Sequence, residues 1–187
     1  NRKVFLWPEN WIEPELRSDK SIFFEELEDD LLQAEVTEET VEQAYMNYLR
    51  SLDSVSNLEI SAPFYDRERD ILHVVGRTLG TPHVYYYRQW IHGSYWTNWE
   101  RLELDIQGDH VALYVFRHRL YVFWVNWQEQ EGVWATHLYW SEYQDGQWTP
   151  SKTSKGKISS YSPSGPSNYI IQPALEGEDL VVVAFTF

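Results

Sequence analysis

Ile71-Leu72-His73-Val74-Val75-Gly76-Arg77, then Gly80-Thr81-Pro82, Val84-Tyr85-Tyr86-Tyr87-Arg88 and Trp96-Thr97-Asn98-Trp99-Glu100 set out a pattern of strand, turn, strand and aromatic ending. The same order returns in Leu120-Tyr121-Val122-Phe123-Trp124, His137-Leu138-Tyr139-Trp140-Ser141-Glu142 and Trp148-Thr149-Pro150. Matching positions lie about 50 residues apart, the spacing of units that are each one four-stranded sheet and bury their faces against their neighbours. A third copy opens at Leu180-Val181-Val182-Val183-Ala184-Phe185 and stops. With Asn1 where an initiator Met would stand, this points to a fragment of a longer chain. The expected fold is mainly β with an N-terminal α-helical pair. Its repeated four-stranded antiparallel sheets build a partial β-propeller-like or sandwich-like body.

Upstream of the repeats the hydrophobic period is helical. Ser21 to Ala34 places Phe24, Leu27, Leu31 and Ala34 on one stripe, with Glu25, Glu26, Glu28, Asp29 and Asp30 beside it. Thr37 is a cap for a second helix whose stripe is Val41, Tyr45, Tyr48, Leu52 and Val55. From Leu58 the period becomes 2, and Asn57 is the expected boundary. The expected layout is thus an edge strand and extended arm over 1–20 (Val4 to Trp11, broken by Pro8 and followed by Pro14), a helical pair over 21–57 and β-rich repeats over 58–187. Gly93, Gly108-Asp109, Gly132 and Asp145-Gly146 read as hairpin turns, and Ser154 to Asn168 as the one long loop.

Composition narrows the function. With 29 Asp+Glu against 15 Lys+Arg the net charge is -14, which opposes binding to polyanions, so nucleic acid is set aside as a partner. No Cys is present, which excludes disulfides and thiolate metal sites, and the apolar runs are strand-sized, too short to span a membrane. The six His include no metal-binding spacing, and there is no Gly-rich phosphate loop or nucleophile elbow, so neither metal nor cofactor is expected. The 10 Trp and 13 Tyr serve either as core or as a binding surface. Since Tyr85, Tyr86 and Tyr87 cannot share one face of a strand, at least one is expected to be exposed or to meet another module.

The run Asn1 to Arg17, Gly76 to Arg88, Gly108-Asp109-His110 and Arg119 to Trp124 resembles the A components of bacterial insecticidal toxin complexes (Tc toxins), in the region of their neuraminidase-like domain. The resemblance implies a secreted bacterial toxin assembled as a homopentamer, with a shell around a translocation channel that opens when pH changes. It implies partners among other domains of the same chain and other toxin-complex components.

The domain's name prompts a test for sialidase chemistry, which needs an arginine cluster, a tyrosine nucleophile with a carboxylate partner, and an acid. No local pattern supplies them. The nearest match to a sialidase turn motif, Ser141 to Trp148, has Tyr143 where Asp belongs and Asp145 where Gly belongs. The segment is therefore expected to be non-catalytic, since fold does not confer function. Its charge pattern nominates Glu25, Glu26, Glu28, Asp29 and Asp30 as pH-responsive contacts, because crowded carboxylates repel once ionised. In an alternative reading, the module binds host glycans or a receptor through Trp90, Trp96, Trp99, Trp140 and Trp148. The reuse of tryptophan at equivalent repeat positions favours packing over such stacking.

Overall fold

A computed structural model describes residues 21–33, 35–131, 133–160 and 169–186. The expected strand and arm over 1–20 lie outside the described residues, as does Ala34. The chain divides into two compact units, Asn1–Ser56 and Asn57–Phe187.

The first unit holds helices α1 (Ile22–Gln33) and α2 (Glu38–Ser56). Ser21 caps α1, its Oγ accepting from the Phe24 amide at 3.3 Å. Thr37 caps α2 reciprocally with Thr40. The Thr40 amide donates to Thr37 Oγ1 at 3.2 Å while Thr40 Oγ1 accepts from the Thr37 amide at 3.0 Å. Between the helices Phe24 meets Tyr48 edge-on with ring centroids 6.4 Å apart. The inner face differs from the expected stripe: Phe23, Leu27 and Ala44 are the buried residues, whereas Tyr45 and Leu52 are exposed. The inward line of α2 runs through Val41, Ala44, Tyr48 and Val55, and the small Ala44 lets the helices approach.

The second unit is antiparallel throughout. Strands β1 (Glu59–Asp66), β2 (Ile71–Arg77), β3 (Tyr85–Ile91), β4 (Tyr95–Trp96) and β5 (Glu100–Arg101) form a five-stranded sheet in the order β1-β2-β3-β4, with β5 also on β3. Strands β6 (Val111–Phe116), β7 (Arg119–Val125), β8 (Gln128–Gln130), β9 (Val133–Gln144), β10 (Gln147–Trp148) and β11 (Lys152–Ser160) form a six-stranded sheet in the order β10-β9-β7-β6, with β8 and β11 on β9. Strands β12 (Tyr169–Glu176) and β13 (Asp179–Thr186) make a hairpin. The duplicated pattern is therefore a duplicated meander, β1-β2-β3-β4 repeated as β6-β7-β9-β10. Short extra strands raise each sheet above four. No sheet closes into a barrel among the described residues, and the body is sandwich-like.

Alternation along β6 and β7 explains the stacking. Val111, Leu113, Leu120, Val122 and Trp124 face the five-stranded sheet and join Ala62, Val75, Tyr85 and Tyr87. Ala112, Phe123 and Val125 point the other way and pack on Tyr169 and Ile171 of the β12–β13 hairpin. The central sheet is thus buried on both faces, so Leu120 to Val125 is apolar without a break. Each large apolar side chain removed from water here contributes about 1.5–3 kcal/mol. The segment between the sheets is pinned by polar contacts. Trp124 Nε1 and Asn126 Nδ2 donate to the Asp105 carbonyl at 3.0 and 2.9 Å, and Tyr85 Oη donates to the Gly108 carbonyl at 2.6 Å.

Gly93 turns between β3 and β4 with positive φ as expected, Gly132 lies outside the described residues, and one expected turn falls elsewhere. The β6–β7 hairpin turns at Arg117 and His118, both with positive φ, not at Gly108-Asp109. Gly108 is instead required for close approach, because a Cβ there would lie 2.7 Å from the Val125 carbonyl oxygen and from Tyr169 Oη. Residues 154–160 of the expected loop are strand β11, which a bulge between Thr153 and Lys157 fits to β9; residues 161–168 lie outside the described set. Asp145 and Gly146 do form a positive-φ turn as expected. Tyr85, Tyr86 and Tyr87 are all buried, at 2%, 5% and 0% exposure. The outward-facing side of β3 is covered after all, because Leu58 and Trp99 fold over the same face at Gly76.

Candidate functional site

The residues with chemistry to offer gather where the two large sheets meet. From β3, Tyr87 points inward and its ring lies 5.1 Å from Tyr143 of β9 and 5.2 Å from Trp148 of β10, while Tyr143 and Trp148 are 5.0 Å apart. Tyr143 Oη donates across the gap to Glu100 of β5 at 3.0 Å. Tyr87 Oη also shares a hydrogen bond of 2.7 Å with His73 Nδ1 on β2. His73 falls inside because it has the parity of Ile71 and Val75, with Phe64 its partner on β1. Its Nε2 is buried with no partner.

Burial dominates the electrostatics of this cluster. It pushes the Tyr143 and Tyr87 phenols far above their usual range, and Glu100 adds to the effect at both. Glu100 itself is raised by burial, against the opposing hydrogen bond from Tyr143. His73 is lowered to about 4, chiefly by burial and further by the Arg69 charge, with Asp66 opposing. The cluster thus holds a tyrosine beside a carboxylate, a pairing that the sequence did not reveal because 43 residues separate the two. Its phenol is held protonated, however, and among the described residues no arginine or lysine forms an ion pair with Glu100. A tyrosine so placed is a cross-sheet tie and a poor nucleophile.

The five nominated tryptophans separate. Trp148 belongs to the first core and Trp140 to the second. Trp90, Trp96 and Trp99 come together on the outer face of the five-stranded sheet around Arg88, whose Cζ lies 3.9 Å from the Trp96 ring and 4.2 Å from that of Trp99. Trp96 is 40% exposed and its neighbour Tyr95 is 55% exposed. Arg88 was missed from sequence, although its alternation with Tyr87 along β3 carries the signal.

The acidic group lies on α1. Glu25, Glu26, Asp29 and Asp30 are exposed and Glu28 is half-buried, and Asp30 Oδ2 accepts from Asn47 Nδ2 of α2 at 3.3 Å. Among the described residues no group of three His, Asp or Glu side chains is arranged to hold a metal ion. None of the described helices is long and apolar enough to cross a membrane.

Stacked antiparallel sheets with a buried tyrosine–carboxylate tie define the second unit as a β-rich, sandwich-like module. The neuraminidase-like domain profile matches residues 58–178, and the ABC toxin N-terminal region profile matches residues 1–28. The chain belongs to the neuraminidase-like domain family, in the form carried by the A components of toxin complexes. It is 29% identical over 150 residues to toxin subunit YenA2 of Yersinia entomophaga, a match that covers 70% of this chain and 11% of the relative. Its fold matches the cryo-EM structure of Morganella morganii TcdA4 with a TM-score of 0.71 at 21% identity, over 99% of this chain and 9% of that one. It also matches that of Yersinia pseudotuberculosis TcaA-TcaB with a TM-score of 0.61 at 20% identity, over 95% of this chain and 10% of that one. The chain therefore spans about a tenth of the length of these relatives.

Proposed function

We propose that this chain is a non-catalytic wall segment of a toxin-complex A component, which helps to form and close the shell around a translocation channel and contributes to its pH-triggered opening. The layout proposed for it is an N-terminal arm over 1–20, a helical pair over 21–57 and a β-rich body over 58–187. Its partners are the other domains of the same chain, four further copies in a homopentamer, and the remaining toxin-complex components, outside the producing cell.

The observation that carries this reading is His73, buried in the sheet stack against Tyr87 with Nε2 unpartnered. A proton taken up there makes a buried cation with one N–H unsatisfied, which the packed state disfavours. Acid therefore loosens the body, and the shell it helps to close, by linkage. The carboxylates of α1, Glu25, Glu26, Glu28, Asp29 and Asp30, are proposed as a second set of pH-responsive contacts between subunits.

The test uses the full-length A component assembled in its closed form, with channel insertion into liposomes followed by dye release as pH is lowered. His73→Asn is expected to move the release midpoint to lower pH while leaving release at strongly acid pH intact. An unchanged midpoint would sink the reading. The non-catalytic part is checked with a fluorogenic sialoside, on which turnover above background would overturn it.

A further inference from the structure

We propose that the outer face of the five-stranded sheet carries a second site, centred on Arg88, that binds a carboxylate-bearing sugar ring. On this face Trp99, Arg88, Trp96 and Trp90 stand in one row. Trp99 can lie flat against the sheet because residue 76 is glycine: a Cβ there would meet Trp99 Cη2 at 3.2 Å. Trp96 pairs with Trp90 across β4 and β3, their rings 5.1 Å apart. The guanidinium of Arg88 packs on the Trp96 and Trp99 rings at 3.9 and 4.2 Å, so its π surface is engaged by indoles. What remains is its edge, the N–H fork that binds carboxylates in a bidentate manner.

Among the described residues that fork has no acceptor. Arg69, Arg77 and Arg119 each approach a carboxylate, whereas among the described residues none pairs with Arg88, and its buried Nε has no acceptor either. Other arginines of the chain also lack an ion pair, but Arg88 combines that with a buried, unpartnered Nε and with packing on two indoles. Trp96 and Tyr95 border it with exposed ring surface. A carboxylate alone needs only the fork. A pyranose that bears one uses the fork and lays its C–H face on the neighbouring indole. A uronic acid has this combination, and a neutral hexose lacks half of it. The site is separate from the tyrosine–carboxylate tie, because Tyr87 and Arg88 are consecutive in β3 and point to opposite faces.

The experiment titrates the full chain with sodium glucuronate, glucose and a tetraglutamate peptide, and reads tryptophan fluorescence and the indole N–H signals by NMR. Expected is a saturable response to glucuronate with Kd of about 1–10 mM, centred on Trp96 and Trp99, with little response to glucose. Arg88→Lys, which keeps the charge and loses the fork, is expected to weaken glucuronate about tenfold with the circular dichroism unchanged. Should that variant misfold, the ligand series on the unmodified chain decides. No saturable response to glucuronate, an equal response to glucose, or an equal response to tetraglutamate would each overturn the proposal. None of these readouts involves channel opening, so the site and the proposed shell function can fail independently.

Discussion

His73 Nδ1 lies 2.7 Å from Tyr87 Oη, joining neighbouring strands inside the core, while the far nitrogen of the same ring is buried without a partner. The neutral ring already leaves one nitrogen unpartnered, and charging it adds the cost of a buried cation. A buried, hydrogen-bonded histidine in a β-sheet is thereby a sensor of acid.

The sign of that sensitivity follows from the shift. The folded value, about 4, lies below the ordinary 6.5, so the unfolded chain binds the extra proton first. The stability held by the neutral ring is complete above 6.5 and is lost as pH falls towards 4, up to roughly 3 kcal/mol for this group. Urea unfolding of the chain at a series of pH values is expected to show this loss. In His73→Asn the slope between pH 6.5 and 4 is expected to flatten.

Glu100 acts with the opposite sign. Its folded value is raised by burial, so ionisation costs stability as pH rises through and above the ordinary carboxylate range. Glu100→Gln retains an acceptor for Tyr143 and removes the charge. It is expected to raise the denaturant midpoint at pH 7 and to have little effect at pH 4.

Glu142 provides an internal contrast. The hydrogen bond from Lys152 leads in holding its carboxyl below the usual range, with Arg119 adding to the effect, at 2.7 and 3.3 Å. The stability it contributes is present above the ordinary carboxylate value and disappears only as pH falls through the lower folded one. Glu142→Gln is therefore expected to leave the pH 6.5-to-4 loss assigned to His73 in place, and a loss that vanished with it would contradict the assignment.

Packing yields two further tests. Trp124 is fully buried, so Trp124→Ala is expected to cost about 3–5 kcal/mol. Trp124→Phe is expected to cost less, because Asn126 still donates to the Asp105 carbonyl. At Gly108 an added methyl meets the Val125 carbonyl, which cannot swing away. Gly108→Ala is expected to cost about 1–3 kcal/mol in thermal unfolding, whereas Gly156→Ala, whose Cβ would meet nothing within 4 Å, is expected to be nearly neutral.

The parts of this molecule that could be read from residue pattern were those governed by local period. The meander and its repeat were legible because strands β2, β3, β7 and β9 are strand-length runs rich in β-branched and aromatic residues. The cap at Thr37 was legible because capping is a contact three residues long. The turn at Arg117 and His118 was not, since it contains none of the Gly, Pro, Asn or Asp residues that mark a tight turn. Strand β11 was hidden because its polar sequence, Lys152 to Ser160, is held by pairing with β9 and has no apolar face of its own. The site failed for another reason. The Tyr143–Glu100 tie and the Arg88 stack join residues that only sheet packing and strand pairing bring together. Charge density directed attention to α1, whereas the group with the perturbed proton equilibrium, His73, is a single residue in an apolar strand.

Strand β7 is a party wall: its odd and even side chains furnish two separate rooms, with Leu120, Val122 and Trp124 on one side and Phe123 and Val125 on the other. Neither room can be cleared while the other stays furnished. A disturbance entering at one flank of the β-rich unit is thus felt at the opposite flank, and the unit is built to yield all at once.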